Sequence, residues 1–471
     1  MDKKLIVKNF AYAFLANGVQ LLLSVMMTLV ISKILGVNEY SYWQLFIFYS
    51  NYVGFVQLGL NDGIYLKYGG YDYKELPYDK LKTQFIIMMI QQAIITVIIA
   101  SACLLLLDNN DRKFVIVILA LYAIIVNVNR FFGYIFQTTN NTSWFSISII
   151  IDQCSFVVIA IASLLFGYKN YQLFIVFYTV TKLFTLIYCV YKGKEILSTK
   201  FRINKNGFRE YKGNLAPGMS LLIANMVSSF IIGISRVLVD VKWGIETFGK
   251  ISFSISLTNF FLAFIAQISM VVFPVLKRVD KNNSNSIYKM LHDIVNIILP
   301  IIYVLYVPIG IILLHWLPQY KESIAYLGYM IPICVFDGKM QLLSTTYYKV
   351  LRKEKTLLRI NISTLIMNTL LSLCSVFIFN NVLAVVFSIV CAIIMRSIIA
   401  DVILCRYLNC SFIKSIIQEL IFALLFIIAN IILSSYISFA ILVMFYGAYL
   451  LFNKEKILEI KNFIFYLQKG K

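Results

Sequence analysis

Apolar runs of about twenty residues recur along the whole sequence, and that is the length that carries a helix across roughly 30 Å of hydrocarbon. In lipid a backbone must close its own hydrogen bonds, so such runs fold as helices joined by short polar turns. They do not alternate apolar and polar residues as barrel strands do. Fourteen runs are readable, roughly 10–32, 42–62, 83–107, 113–137, 144–166, 171–191, 215–239, 249–275, 293–315, 323–348, 357–379, 382–404, 413–434 and 436–452. The fold class expected is an all-α polytopic membrane protein with about 14 transmembrane helices. Composition agrees, at 60% hydrophobic and 14% charged residues, whereas soluble domains hold about 25% charged.

A net charge of +20 would suggest nucleic acid in a soluble protein. Here the loops explain it. With the N-terminus inside, and with basic residues in the first turn of a span (Lys113, Lys250, Arg359, Lys414) counted with the adjoining loop, segments on that side carry 30 Lys/Arg, the opposite turns carry 7, and 5 fall within spans. Cytoplasmic loops are rich in Lys and Arg, so both termini are expected to be cytoplasmic and no nucleic-acid partner is implied. Lys3, Lys4 and Lys8 precede the first run as in a signal peptide, but the run continues to Ile31 without a small-residue cleavage site. It reads as a retained span. The eight Cys lie in or beside apolar runs without a C-x-x-C pair and read as reduced packing residues.

The chain also echoes itself. Leu15-Ala16-Asn17-Gly18-Val19-Gln20-Leu21-Leu22 returns as Leu215-Ala216-Pro217-Gly218-Met219-Ser220-Leu221-Leu222, and Gly36-Val37-Asn38-Glu39-Tyr40 as Gly244-Ile245-Glu246-Thr247-Phe248. Each copy reads as helix, glycine turn, helix, an internal repeat of the kind that builds many transporters. Before the second copy lies the longest internal polar segment, 192–214, with seven Lys/Arg. The expected organisation is an N-terminal lobe 1–192, a basic linker 193–214, a C-terminal lobe 215–410, two further spans in 411–453, and a basic tail 454–471 at the inner surface.

Particular stretches carry a family resemblance. They are Ile34-Leu35-Gly36-Val37-Asn38-Glu39-Tyr40 with Gly59-Leu60-Asn61-Asp62, then Ser235-Arg236 with Gly244 and Phe248. Phe273-Pro274-Val275-Leu276 and Leu317-Pro318-Gln319-Tyr320 follow. In their order and two-lobe layout they resemble the O-antigen and capsule oligosaccharide flippases (Wzx-type). These belong to the MOP superfamily, which also holds lipid II flippases and MATE exporters. The resemblance covers nearly the whole chain. It implies two six-helix lobes around a central cavity plus two C-terminal helices, in a bacterial inner membrane. The implied activity is alternating-access transport of an oligosaccharide joined by diphosphate to undecaprenol, without a cofactor. It implies the lipid-linked oligosaccharide and membrane lipid as partners, and adds polymerase and chain-length proteins as candidates. Relatives often carry Asp before the span-seven arginine; here Ser235 stands there.

Charges inside spans are costly unless they face a cavity or a partner. Arg130, Lys182, Arg236, Lys339 and Arg396 are therefore candidates for contacting the diphosphate, Arg bidentately and Lys as a point charge. Folding at Asn140-Asn141 brings Arg130 opposite Asp152, so an Arg130–Asp152 pair is the competing reading. Asp240, four residues on, could hold Arg236, while Lys339 has the least obvious partner. Arg236, Lys339 and Arg396 are expected to share one basic cavity. Asp152, Asp337 and Asp401 could bind a coupling ion or close ion pairs. Asn17, Gln20, Asn51, Asn225 and Asn259 could bond sugar hydroxyls or merely join helices. His292 and His315 have no second ligand at metal spacing, and no nucleophile–base set appears, so the expectation is a transporter and not an enzyme. A polymerase would need a larger outer loop, and a MATE-like cation-coupled exporter would favour acids. A lipid II flippase usually carries arginines in spans one and two, whose interiors here lack Lys and Arg.

Overall fold

The structure, a computed structural model, describes residues 3–199, 205–277, 284–408, 410 and 413–458. Side chains of α1 (Lys3–Ile34) are described from Gly18 onward. The described residues are helical, with no strand among them. The last part of the basic tail, 459–471, and linker residues 200–204 lie outside the described residues.

The chain divides into two compact units, Met1–Ser229 and Phe230–Lys471. The first holds α1, α2 (Val37–Ser50), α3 (Leu60–Lys67), α4 (Tyr78–Leu106), α5 (Asn110–Thr138), α6 (Thr142–Leu165), α7 (Tyr171–Lys192), α8 (Lys194–Ser198) and the first part of α9 (Lys205–Lys277). The second holds the rest of α9, then α10 (Ser284–Ile298), α11 (Ile301–Trp316), α12 (Lys321–Lys339) and α13 (Thr345–Val350). It ends with α14 (Glu354–Phe377), α15 (Val382–Tyr407), α16 (Ile413–Ile432) and α17 (Ser435–Phe452).

The division falls inside α9, not in the basic segment 193–214. Packing of glycines explains why. A Cβ at Gly63 would strike the Asn214 carbonyl, and one at Gly218 would strike the Gly59 carbonyl. Bare backbone therefore lets the start of α9 lie directly on α3, and it belongs to the first unit.

Every expected span has a helical counterpart. Ten helical segments among the described residues are individually long and apolar enough to cross a membrane. The three expected crossings outside the ten are α1, whose described apolar stretch is the shorter Gly18–Ile34, and the broken stretches 42–62 and 323–348; one of the ten, Met226–Ala266, joins the expected pair 215–239 and 249–275. Gly244 separates that pair with φ +81°, a backbone state that favours glycine. Gly36, its echo, stands at the start of α2. Both copies of the repeat thus fold as helix, glycine break, helix.

The second crossing is not one helix. After α2 the backbone takes a short 3-10 turn, Val53–Gln57, then Leu58 (φ +50°) and Gly59 (φ +79°), and restarts as α3. The freed backbone groups are met by side chains. Asn127 donates to the Val53 carbonyl at 2.9 Å, Gln91 to the Val56 carbonyl at 2.8 Å, and the Gln57 side chain accepts from the Asn61 N–H at 2.6 Å. A span broken at membrane depth is tolerable where such partners replace the helix bonds. The tenth crossing breaks in its own way, with a π-helical turn, Met340–Ser344, between α12 and α13.

Loop contacts sort the ends of each unit into two sides. In the first unit, Tyr171 N–H donates to Glu39 at 2.9 Å, Tyr171 O–H to Asp111 at 2.7 Å, and Asn109 to Tyr42 at 3.3 Å. Three successive odd-numbered turns therefore meet. At the other ends Lys82 donates to the Leu197 carbonyl at 2.7 Å and Tyr73 to the Lys192 carbonyl at 3.4 Å, joining the loops after spans two and six. In the second unit Lys250 meets Glu322 at 2.9 Å on one side, and Lys456 meets Asp293 at 2.8 Å on the other.

Candidate functional site

Three groups of charged side chains stand out, the first within unit one. Lys182 of α7 donates to both oxygens of Asp152 on α6, at 2.7 and 2.6 Å, and lies 4.1 Å from the centre of the Tyr178 ring. The expected Arg130–Asp152 pair is therefore replaced: α6 and α7 are hairpin neighbours, and Lys182 supplies the cation from the nearer helix. The Arg130 guanidinium packs instead on the 3-10 turn, where a Cβ at Gly54 would meet it at 2.8 Å. Its charge acts on the buried Asp62, which accepts from Gln57 at 3.3 Å and Tyr134 at 3.4 Å.

The second group lies in unit two. Lys339, at the end of α12, meets Asp401 of α15 and Glu419 of α16, each at 2.6 Å, and all three side chains are almost completely buried. Asp401 also accepts from Ser344 at 2.8 Å. Beside them Arg396 donates to Asp337, which accepts from Gln341 at 3.0 Å. Lys339 and Arg396 therefore do not present free charge to a shared basic cavity; each closes on carboxylates of its own unit. The reason is Glu419, an acid inside an expected span that supplies the partner Lys339 lacks in sequence. Arg236 is held differently, donating Nε to Ser252 at 3.1 Å with its guanidinium 4.9 Å from the Phe248 ring centre. Its neighbour Ser235 joins a buried neutral network, bonded to Ser372 and Asn368, with Ser372 bonded to Ser388 at 2.9 Å.

Of the amides, Gln20, Asn51 and Asn259 are exposed. The side chains of Asn17 and Asn225 lie outside the described residues. Among the described residues no cluster of His, Cys, Asp and Glu could hold a metal ion.

The third group sits where the basic loops of unit one meet. A cavity of about 620 Å³ is lined by Lys67, Lys80, Arg209, Glu210, Asn214 and Gly213, among others. Glu210 is its centre, 3.0 Å from Lys67 and 3.4 Å from Lys80, with a further bond from the Tyr68 hydroxyl. Burial works against the carboxylate, but the Tyr68 hydroxyl and the Lys67 ammonium outweigh it and hold its carboxyl below the usual range. The same carboxylate pushes the Tyr68 phenol well up, after burial as the larger cause.

No protein-family model matches the chain, and no curated protein matches it. Solved structures do. The lipid II flippase MurJ in an inward closed conformation superposes with a TM-score of 0.70 at 12% identity, covering 96% of this chain and 100% of that one. A MATE-family multidrug transporter of the MOP superfamily, inward-facing, gives 0.57 at 13% identity, covering 83% and 94%. A MOP-superfamily transporter from Pyrococcus furiosus gives 0.51 at 12%, covering 86% and 97%. The chain has the fold of the MOP-superfamily transporters. Within that fold, sequence reasoning missed Asp62, Glu210 and Glu419. Glu419 was within reach, because Gln418-Glu419 interrupts an otherwise apolar run.

Proposed function

We propose that the chain moves undecaprenyl-diphosphate-linked oligosaccharide units across a bacterial inner membrane by alternating access, in service of O-antigen, capsule or exopolysaccharide synthesis. One observation supports this most. The likeness to the lipid II flippase runs over 96% of this chain and all of that one, while the MATE transporter covers 83%. The fold alone does not select the cargo; the motif resemblance does. In this reading Arg130 and Arg236 contact the diphosphate, and Asn17, Gln20, Asn51, Asn225 and Asn259 bond sugar hydroxyls. Lys182, Lys339 and Arg396, with Asp152, Asp337 and Asp401, hold helices together as ion pairs.

The test is genetic and biochemical together. Deleting the gene in a strain with a defined surface polysaccharide should abolish the polymer and accumulate its lipid-linked repeat unit, and the restored gene should reverse both. A strain that keeps its polymer after deletion overturns the reading. A second reading, lipid II transport, draws on the same full-length likeness. It predicts that the chain rescues cells depleted of their lipid II flippase. Spans one and two, with no Lys or Arg in their interiors, favour the first reading.

A further inference from the structure

The cavity around Glu210 has a charge balance that its own contacts do not satisfy. Lys67 and Lys80 share one carboxylate, and Arg209, on the same wall, has no ion pair among the described residues. Three cations thus surround one acid in a space that opens to the surface. Each ammonium has three donors, so both lysines keep donors for a further anion. The floor is low and polar: Gly213 has open space where a Cβ would stand, and Asn214 is fixed by Gln84 at 2.8 Å. The rim is apolar. Leu66, on its lining, is 53% exposed, and Pro217 beside it is exposed as well. Cations behind an exposed apolar rim match a ligand whose anionic group is tied to a lipid tail.

Glu210 is also built to let its lysines go. Its side chain is 9% exposed, and two neutral donors reach it besides the lysines, the Tyr68 hydroxyl and the Gln84 amide. When a stronger anion takes Lys67 and Lys80, the carboxylate keeps hydrogen bonds and is not stranded.

We propose that this notch is a docking site for the diphosphate of a lipid-borne substrate, with Lys67, Lys80 and Arg209 as its cations and Glu210 as a built-in competitor. The proposal rests on the flippase reading and adds to it a loading position at the helix ends, apart from the charges inside the spans. A diphosphate carries more charge than a carboxylate and can engage both lysines and the planar guanidinium together. Moderate competition from Glu210 keeps the site from trapping its ligand.

The experiment uses the full purified chain in nanodiscs, with undecaprenyl diphosphate, phosphatidylglycerol and inorganic diphosphate as probes. Lys80→Gln with Arg209→Gln should weaken undecaprenyl diphosphate binding about tenfold while leaving phosphatidylglycerol within about twofold. Glu210→Gln should tighten undecaprenyl diphosphate binding several-fold, since the competitor is gone. A purely structural latch predicts the opposite sign for that variant. Weaker binding by Glu210→Gln in protein that melts like the wild type overturns the proposal. Equal loss of phosphatidylglycerol makes the notch a general anionic-lipid surface, and inorganic diphosphate bound as tightly as the lipid form makes it a soluble-phosphate site; either overturns it. Should the lysine and arginine variants bind undecaprenyl diphosphate normally while the wild-type gene restores surface polymer, the notch fails and the flippase reading stands. Should the wild-type gene restore nothing, that reading fails first.

Discussion

Between α12, α15 and α16, Lys339 holds two carboxylates where one would neutralise it. Removing the cation strands both acids, and breaking a buried pair costs about 3–5 kcal/mol. Lys339→Met is therefore expected to lose most folded protein in a thermal unfolding assay in detergent. Glu419→Gln is expected to be mild, because Asp401 still balances the lysine. Lys339→Met combined with Asp401→Asn and Glu419→Gln should recover stability; no recovery would mean the three act through something other than charge. The same logic applies to Lys182 and Asp152: the double neutral variant should be more stable than either single one, and Arg130→Gln should show no coupling to Asp152→Asn. The five intramembrane cations were legible in the sequence as expensive residues, and so were Asp152, Asp337 and Asp401 as acids able to pair, but which cation each acid meets was not, nor was Glu419. Lys339 and Glu419 are 80 positions apart, and only folding brings α16 against α12.

At the scale of elements, the contact between α3 and the start of α9 depends on glycine. Gly63→Ala would force its methyl against the Asn214 carbonyl, and overpacking of this kind costs about 1–3 kcal/mol. A lower melting temperature is expected, with Gly213→Ala, where space is open, as the neutral control. Glu210 ties the same elements together by charge. Its folded carboxyl lies below the ordinary value of 4.5, so its contribution is complete above that pH and is lost as pH falls through the folded value. The melting difference between wild type and Glu210→Gln should thus be largest near neutrality and vanish in acid; a constant difference would remove the charge explanation. Sequence pattern revealed the span 42–62 because its ends are apolar, but it could not show that the helix breaks there. The break depends on Gln91 and Asn127, which belong to later helices.

For the whole molecule, side-sorting is the testable quantity. Single cysteines at Tyr71 and Lys194 should label from one face of the membrane, and at Asn170 from the other. Labelling of all three from one face would contradict the loop contacts of the first unit. The glycine-broken repeat was legible because turn glycines are a local property. The division within α9 was not, because it follows from backbone packing between segments some 150 residues apart, Gly63 against Asn214.

The broken second crossing also has a consequence for how the chain is made. Alone, 37–67 is not among the helices long and apolar enough to cross a membrane, and its Val53 and Val56 carbonyls have no side-chain donors until α4 and α5 emerge from the ribosome. It should therefore wait at the insertion machinery and enter lipid as a hairpin company, not one by one. Nascent chains stopped after α3 should leave this stretch extractable by alkali, while chains extended beyond Asn127 should hold it. Replacing Asn127 with leucine would then delay the step even though the segment bearing it becomes more apolar.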